Sequence, residues 1–216
     1  MPRIIATTTV RNECDIVESY CRYTLTFCDK LVINDNSSKD NTADIIKQLV
    51  DEGLPIVLLN NIPYNLGTKY FINNQLLRIA MEEHHADIVL PIDVDEFLIT
   101  ASGENPRGVI EALDPLVEHQ IPWRTFIRTS YTEDNEEFLP DGFAKRRADE
   151  VQQFYKTIVS SQMFSENRCT LTAGSHGINY PDGSNRRPIQ VTSGLFYAHY
   201  PIRNSYQAVQ KTALSL

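Results

Sequence analysis

The chain has 216 residues, of which 42% are hydrophobic and 22% are charged, and these proportions are typical of a globular protein. No apolar run reaches the roughly 20 residues that a membrane-spanning helix requires, and the N-terminus lacks the pattern of a signal peptide, so we expect a cytoplasmic location. The net charge of −8 argues against a nucleic-acid polymer as a partner, because binding to phosphate backbones depends on clustered Lys and Arg. None of the four cysteines forms a C-x-x-C pair, so the sequence indicates neither a zinc site nor a redox motif.

Strand-like and helix-like segments alternate through residues 1–100. The predicted strands are residues 4–10, 31–33, 56–59 and 88–92. The predicted helices are residues 13–27, with Asn12 as the cap, 43–50 and 68–84. Alternation of this kind predicts an α/β fold, in which a mostly parallel, Rossmann-like sheet is flanked by helices. Such sheets bind ligands at the carboxyl ends of their strands, so we expect functional residues in the loops after the first, second and fourth strands.

The second half of the chain has a mixed pattern. It predicts a helix at residues 106–119, an extended segment at 123–131, strands at 155–163, 169–173 and 195–200, and a final helix at 204–214. Residues 133–150 are charged and interrupted by Gly and Pro. We therefore expect a single domain with two halves, residues 1–100 and 101–216.

The most informative segment is the apolar run at residues 86–92, which is followed by Asp93, Asp95 and Glu96. Carboxylates this close repel one another and are costly to desolvate, so they need a cation, a proton or a solvated position. A divalent cation is the simplest answer, and Mn²⁺ or Mg²⁺ fits because both accept carboxylate oxygen ligands. The alternative is a charged turn after a core strand.

Two common phosphate-binding motifs are missing from the sequence. No G-x-G-x-x-G follows the first strand, and no G-x-x-x-x-G-K-[ST] occurs, which excludes the usual dinucleotide fold and the P-loop. A diphosphate could instead be bound through a divalent metal on Asp93 and Asp95. Asp35, after the second strand, could then hydrogen-bond a base or ribose.

Four short motifs occur in order along the chain: V-R-N-E after the first strand, D-N-S-S-K-D-N-T after the second, I-D-V-D-E-F after the fourth, and A-H-Y-P-I-R-N-S near the end. With these motifs the chain resembles family-two-type glycosyltransferases with the GT-A fold, particularly the D-x-D-E-F branch. The resemblance implies metal-dependent transfer of a sugar from a nucleotide-sugar, by family habit a UDP-sugar, to a glycan or lipid-linked acceptor, with inversion. It also implies a bacterial-type enzyme of surface polysaccharide synthesis, and peripheral membrane contact through the acceptor lipid stays open. Residues 1–100 would bind the nucleotide-sugar, and residues 101–216 would bind the acceptor and complete the metal site.

The resemblance also assigns roles to individual residues. It implies that Asp35 contacts the uracil or ribose, that Asp93 lies at the ribose and metal, and that Asp95 ligates the metal. His199 would complete the metal site, with His176 as the alternative ligand. The expected donor-contacting residues are Thr9, Arg11, Glu13, Asp35, Asn36, Asp93, Arg203 and Lys211, of which Arg203 and Lys211 would neutralise the diphosphate. An acidic residue is frequent in the family at the position of Asn36, so the identity of the base stays open.

The catalytic base is the least determined part of the site. Inverting transfer needs a carboxylate that deprotonates the acceptor hydroxyl. Asp134, in the acidic run at residues 133–137, is one candidate, and Glu96 is the other. Trp123, Tyr131 and Tyr180 could stack on a sugar ring, although aromatic residues also pack in cores.

Two other functions compete with a glycosyltransferase. An apolar strand that ends in D-x-D also resembles the phosphohydrolases that use an aspartyl nucleophile. Three βα units precede the motif here, and Phe97 occupies the position where that family normally has Thr or Val, which argues against them. A non-catalytic module that binds a nucleotide-sugar or glycan is the other alternative.

Overall fold

The computed structural model of the chain describes residues 1–60, 69–127, 145–150, 152–181 and 187–203. Lys211, Asp134, Tyr131 and the predicted helix at 204–214 lie outside these ranges. In the part of the chain that is described, no helix is both long and apolar enough to cross a membrane.

A five-stranded sheet is built mainly from the first half of the chain. Its strands, in spatial order, are β3 (Ile56–Asn60), β2 (Lys30–Asp35), β1 (Ile4–Val10), β4 (Ile88–Pro91) and β9 (Val159–Ser160). The first four strands are parallel, and β9 pairs antiparallel with β4. This arrangement confirms the predicted α/β fold with a mostly parallel sheet.

Helices cover both faces of this sheet. They are α1 (Val17–Thr24), α2 (Thr42–Asp51) and α3 (Lys69–Arg78), the last continued by a π-helical turn, Ile79–Glu83. Ile4 and Ala6 of β1 belong to the same apolar cluster as the buried faces of α1 and α2, whereas Ile5 packs in the cluster that includes α3. Because successive strand residues point to opposite faces, one uninterrupted apolar strand can contribute to both clusters.

A second sheet is built mainly from the second half of the chain. Its strands, in spatial order, are β12 (Ile189–Val191), β6 (Glu118–Ile127), β13 (Leu195–His199) and β5 (Glu96–Thr100). β13 pairs antiparallel with β5 and parallel with β6, while β7 (Lys145–Arg146) and β8 (Tyr155–Thr157) pair antiparallel with β6. The smaller elements are α4 (Arg107–Glu111), α5 (Ser161–Asn167), β10 (Thr170–Leu171), β11 (Ile178–Asn179) and a 3₁₀ turn, Ala173–Ser175.

The first helix begins later than predicted, and Asn12 is not its cap. α1 starts at Val17, and the residue before it, Ile16, makes no side-chain cap bond. Asn12 instead has a left-handed backbone (φ 56°), and its Oδ1 accepts a hydrogen bond from the Lys39 amide at 2.7 Å. Asn tolerates this conformation better than most residues, so its position in a turn is favourable.

Two predictions in the second half were wrong in part. The helix expected at 106–119 is short: α4 ends at Glu111 and β6 begins at Glu118. Pro115 disfavours helical geometry in the preceding residue, which accounts for the early end. The strand expected at 155–163 gives way to α5 at Ser161, because the Ser160 hydroxyl accepts the Met163 amide hydrogen bond at 3.1 Å and caps that helix.

Candidate metal and donor site

Two loops at the carboxyl edge of the parallel sheet lie against each other. The Asn12 amide donates to the Ser38 hydroxyl at 3.0 Å, and the Glu13 amide donates to the Thr42 hydroxyl at 2.8 Å. These bonds join the loop after β1 to the loop after β2, since parallel neighbours end at the same edge. Two of the three loops expected to line one crevice are therefore in contact.

Asp35 ends β2 in this wall. Its side chain is nearly buried, with the residue 8% exposed, and its Oδ1 accepts a hydrogen bond from the Ser38 hydroxyl at 2.5 Å. The next residue, Asn36, is half-buried, and its amide donates to the Val10 carbonyl at 2.8 Å. Thr9 is half-buried near the end of β1, whereas Arg11 is exposed just beyond it. The predicted donor-contacting residues of both loops thus share one edge.

The D-x-D-E segment forms the turn between β4 and β5. The Glu96 amide donates to the Asp93 carbonyl at 3.0 Å, and the Asp93 amide donates to Glu96 Oε2 at 3.3 Å. The chain leaves the first sheet at this turn and enters the second. Asp93 and Glu96 consequently lie where the two sheets meet.

Asp93 is held by two lysines. Its Oδ2 lies 2.9 Å from Lys69 Nζ and 2.8 Å from Lys156 Nζ. Burial alone would raise the pKa of this carboxyl, but the two ammonium groups outweigh it and hold the pKa of Asp93 well below its usual range. Asp93 is therefore an ionised carboxylate whose charge is already compensated.

Glu96 is the most buried acid of the segment, with the residue 1% exposed. Burial raises the pKa of the Glu96 carboxyl well above its usual value, and the neighbouring Asp93 and Asp95 raise it further. Lys156 Nζ, 3.6 Å from Oε1, opposes these effects without cancelling them. A carboxyl in this environment either holds a proton or needs a further cation.

Asp95, Glu96 and His199 form one group whose ligand atoms lie within 4.8 Å of one another. The Asp95 Oδ2 to His199 Nε2 distance is 3.7 Å, and the Tyr200 amide donates to the Asp95 carbonyl at 2.8 Å, which fixes the turn beside β13. Two carboxylates and an imidazole are ligands that Mn²⁺ accepts, and a cation there would offset the burial that raises the pKa of Glu96. The residues therefore fit a divalent metal.

The metal candidates from the sequence divide between two environments. His199 lies with Asp95, as the motif implied, and Glu96 joins them, whereas Asp93 faces the two lysines. His176 is engaged elsewhere: its Nδ1 lies 2.7 Å from the Tyr155 carbonyl. Within the described chain, the group that can hold a metal includes neither Asp93 nor His176.

Arg203 is buried in an ion-pair cluster with the loop after β1. Its Nε lies 2.8 Å from Asp15 Oδ2, its Nη2 contacts the Glu13 carboxylate, and its Nη1 donates to the Tyr200 carbonyl at 3.2 Å. Burial lowers the pKa of Arg203, but the two carboxylates more than compensate and raise it. Burial raises the pKa of Glu13 to about 7 even though Arg203 opposes that shift. Arg203 thus connects the end of the described chain to the loop after β1.

Aromatic rings form a wall beside the metal group. The Trp123 ring lies 4.4 Å from the His199 ring, 5.3 Å from the Phe154 ring and 5.7 Å from the His176 ring, centroid to centroid. Tyr180, the other described stacking candidate, packs instead against the apolar cluster under α3. Of these two, only Trp123 is in contact with a residue of the metal group.

Sequence reasoning missed Lys69 and Lys156. Lys69 lies in the first turn of α3, and Lys156 is the central residue of β8, between Tyr155 and Thr157. A lysine in a predicted strand was a usable signal, because a lysine is almost never fully buried unless it is paired. Its partners could not be read from the sequence, since they come from the turn after β4, from β5 and from the 3₁₀ turn.

A cavity in the described part of the chain lies away from this group of residues. It has a volume of about 660 Å³ and lies between α3 and the segment from α5 to β10. Its lining residues include Tyr70, Phe71, Arg78, Phe164 and Arg168. None of the lining residues belongs to the acidic cluster, which is formed by Asp93, Asp95 and Glu96. Titratable groups with strongly shifted pKa values are a better marker of chemistry than volume, so we place the functional site at the acidic cluster.

No protein-family model matches the sequence, and no curated protein is significantly similar to it. Among solved structures, the mannosyltransferase PcManGT from Pyrobaculum calidifontis, in complex with GDP-Man and Mn²⁺, is 19% identical over 56% of this chain and 35% of its own, with a TM-score of 0.42. Glucosyl-3-phosphoglycerate synthase from Mycobacterium tuberculosis, in complex with Mn²⁺, UDP and glucosyl-3-phosphoglycerate, is 18% identical over 59% of this chain and 45% of its own, with a TM-score of 0.35. HddC from Yersinia pseudotuberculosis is 9% identical over 100% of both chains, with a TM-score of 0.49. This chain thus spans about a third of the mannosyltransferase and less than half of the synthase.

Proposed function

We propose that this protein is a metal-dependent glycosyltransferase that moves a sugar from a nucleotide-sugar, expected to be a UDP-sugar, to a hydroxyl group of a glycan or lipid-linked acceptor. The observation that carries the proposal is the group formed by Asp95, Glu96 and His199 at the carboxyl edge of the parallel sheet, the edge at which Asp35 also lies. Residues 1–100 supply the donor-binding half, and residues 101–216 supply the acceptor side and His199. The acceptor determines whether the protein works at the inner face of a membrane.

The proposed donor site follows the two joined loops. Asp35 offers a carboxylate at the end of β2 for the ribose or base, with Thr9, Arg11, Glu13 and Asn36 at the same edge of the sheet. Because Ser38 already donates to Asp35, a bound hydroxyl would compete with or join that hydrogen bond. Whether the base is uracil or guanine is a question for measurement.

Asp95, Glu96 and His199 are the residues that would hold Mn²⁺ or Mg²⁺, with Asp93 beside them. When bound, the cation stabilises the negative charge that grows on the leaving diphosphate. Lys69 offers a partly exposed cation beside this group, since its side chain is 50% exposed while its ammonium contacts Asp93. We propose that Lys69 assists Arg203 and Lys211 in compensating the diphosphate.

For the catalytic base we favour Asp134 over Glu96. Glu96 has a fully buried side chain and lies within the cation-binding group, so it is poorly placed to reach an acceptor hydroxyl. A base that takes the hydroxyl proton must come within hydrogen-bond distance of it. This assignment goes with inversion, which is the outcome of a single displacement.

Trp123, which lies beside His199, is the proposed stacking surface for a sugar ring.

Calorimetric titration of the purified chain with UDP and with GDP, each with and without Mn²⁺, tests the proposal. Binding of UDP or GDP that requires Mn²⁺ supports a transferase and identifies the nucleobase of the donor. Absence of binding under all four conditions contradicts it. Hydrolysis of simple phosphate esters without an acceptor would then favour a phosphohydrolase, whereas tight nucleotide binding with no turnover on any acceptor would favour a binding module.

A further inference from the structure

Lys156 is a fully buried lysine at the centre of the acidic cluster. Its side chain is 1% exposed, and its Nζ lies 2.8 Å from Asp93 Oδ2, 2.9 Å from the Gly174 carbonyl and 3.6 Å from Glu96 Oε1. The strand pairing of β8 with β6, in which Lys156 lies opposite Ile121, fixes its backbone. The ammonium therefore has a defined place inside the protein.

Asp93 does not need Lys156 for charge compensation. Lys69 binds the same carboxylate oxygen at 2.9 Å from the more exposed side of the site. Burying an ammonium costs several kcal/mol unless strong partners offset the loss of water, and hydrophobic residues of similar volume often stabilise a protein as well or better. A second lysine on one oxygen therefore adds positive charge to the acidic cluster as a whole.

The charges of the cluster explain what this lysine can do. Asp93, Asp95 and Glu96 face the ammonium groups of Lys69 and Lys156. With Glu96 ionised the cluster carries one net negative charge, and with Glu96 protonated it is neutral. Over these five groups, a divalent cation bound alone would leave a net positive charge in either state, which is unfavourable beside the buried side chains of Glu96 and Lys156. A diphosphate bound at the same time would supply the missing negative charge.

We propose that Lys156 is a positioning residue that makes divalent-metal binding depend on the diphosphate of the donor. Its ammonium holds Asp93 away from the metal ligands and neutralises part of the negative charge of the cluster. The metal therefore binds weakly alone and tightly together with a nucleoside diphosphate. By reciprocity, the nucleotide gains from the metal by the same factor. This inference rests on the proposed function, because it needs a diphosphate ligand at this site.

The experiment compares Mn²⁺ binding to four proteins by the electron paramagnetic resonance signal of free Mn²⁺, with and without UDP or GDP. They are the wild type, Lys156→Met, Lys156→Arg and Lys47→Met. Lys156→Met removes the charge at similar length, and Lys156→Arg keeps the charge. Lys47→Met controls for the loss of a surface lysine, since Lys47 pairs with Asp44 on the exposed face of α2.

We expect a nucleoside diphosphate to raise the Mn²⁺ affinity of the wild type by about tenfold or more. Lys156→Met should bind Mn²⁺ alone about tenfold more tightly than the wild type, with the coupling reduced by a similar factor. Lys156→Arg and Lys47→Met should keep the wild-type coupling. A purely structural role predicts no such gain for Lys156→Met, because a damaged site binds Mn²⁺ no better than the intact one.

One result would overturn the inference while leaving the proposed function intact: a Lys156→Met protein that binds Mn²⁺ alone no more tightly than the wild type. If Lys156→Met does not fold, Lys156→Gln gives the same comparison. A wild type that binds Mn²⁺ equally well with and without the nucleotide overturns both, because by reciprocity its nucleotide binding does not require the metal. A wild type that binds neither UDP nor GDP at saturating Mn²⁺ overturns the proposed function together with the inference.

Discussion

His199 lies directly opposite Glu96 where β13 pairs antiparallel with β5. Side chains of directly opposed residues share a face of the sheet and lie close together. This pairing brings the imidazole to the D-x-D-E turn, with Asp95 completing the group. A shift of the register by one residue would turn His199 to the other face, so strand pairing determines whether the cation-binding group exists.

Asp95→Ala should abolish Mn²⁺-dependent nucleotide binding, because Asp95 supplies a carboxylate on the exposed side of the metal group. Calorimetry with UDP or GDP plus Mn²⁺ measures the loss. Asp51→Asn, at the exposed end of α2, is the matched control and should bind like the wild type. Undiminished affinity in Asp95→Ala would sink the metal assignment.

The two histidines should behave differently. His199→Ala should weaken Mn²⁺ binding less severely than Asp95→Ala, since both carboxylates of the group remain. His176→Ala should leave Mn²⁺ affinity unchanged, because His176 does not belong to the group of ligand atoms formed by Asp95, Glu96 and His199. Titration of both variants with Mn²⁺ and UDP decides which of the two histidines is the metal ligand. The reverse order of effects would make His176 the metal ligand.

Lys69→Met should weaken the binding of nucleoside diphosphates more than that of nucleoside monophosphates. The half-exposed ammonium of Lys69 lies at the acidic cluster, where a second phosphate is expected. The effect on UDP affinity in the presence of Mn²⁺ should be about tenfold, typical of the loss of one charge-assisted hydrogen bond. Equal effects on UDP and UMP would contradict the assignment, and Lys47→Met again serves as the control.

Protein stability should depend on pH through Glu13. Burial raises the pKa of Glu13 to about 7 from 4.5, so between these pH values the folded state holds a proton that the unfolded state has released. The free energy of unfolding should therefore fall as the pH rises from about 4.5 to about 7, by at most about 3 kcal/mol. In Glu13→Gln this contribution should vanish, as measured by thermal unfolding across that range. Glu83→Gln, at an exposed position, should keep the wild-type slope; a Glu13→Gln slope equal to that of the wild type counts against the prediction.

Asn12→Ala should destabilise the protein by about 1 kcal/mol, because it loses the bond to the Lys39 amide and places alanine at positive φ. Urea unfolding measures the change. Asn41→Ala is the control: Asn41 precedes α2 as a cap would, but its side chain makes no cap bond, so we expect a smaller effect. Equal losses in the two variants would contradict the structural role of Asn12.

The sequence predicted the parallel sheet well because its strands are short, continuous apolar runs between turn residues. Residues such as Ile5 and Val32 are buried within these runs, and burial on both faces leaves little ambiguity. Asp35 and Asp95 could be located for the same reason, since each follows such a strand. The motif resemblance then indicated which loops carry the candidate site residues.

Other parts of the site depend on contacts between distant segments. The two lysines on Asp93 come from α3 and β8, and no local pattern predicts that they share one oxygen. The ion pairs of Arg203 with Glu13 and Asp15 likewise join the two ends of the described chain. Sequence reasoning identifies the residues that carry charge, whereas the pairing of strands determines which charges meet.

The position of β13 near the end of the described chain also has a consequence during synthesis. When residues 1–100 have left the ribosome, the nascent chain carries Asp95 and Glu96 but still lacks His199 and Arg203. The cation-binding group forms only after β13 has docked between β5 and β6. A partly synthesised chain therefore lacks the imidazole of this group, and capacity to bind the metal through all three residues coincides with completion of the second sheet.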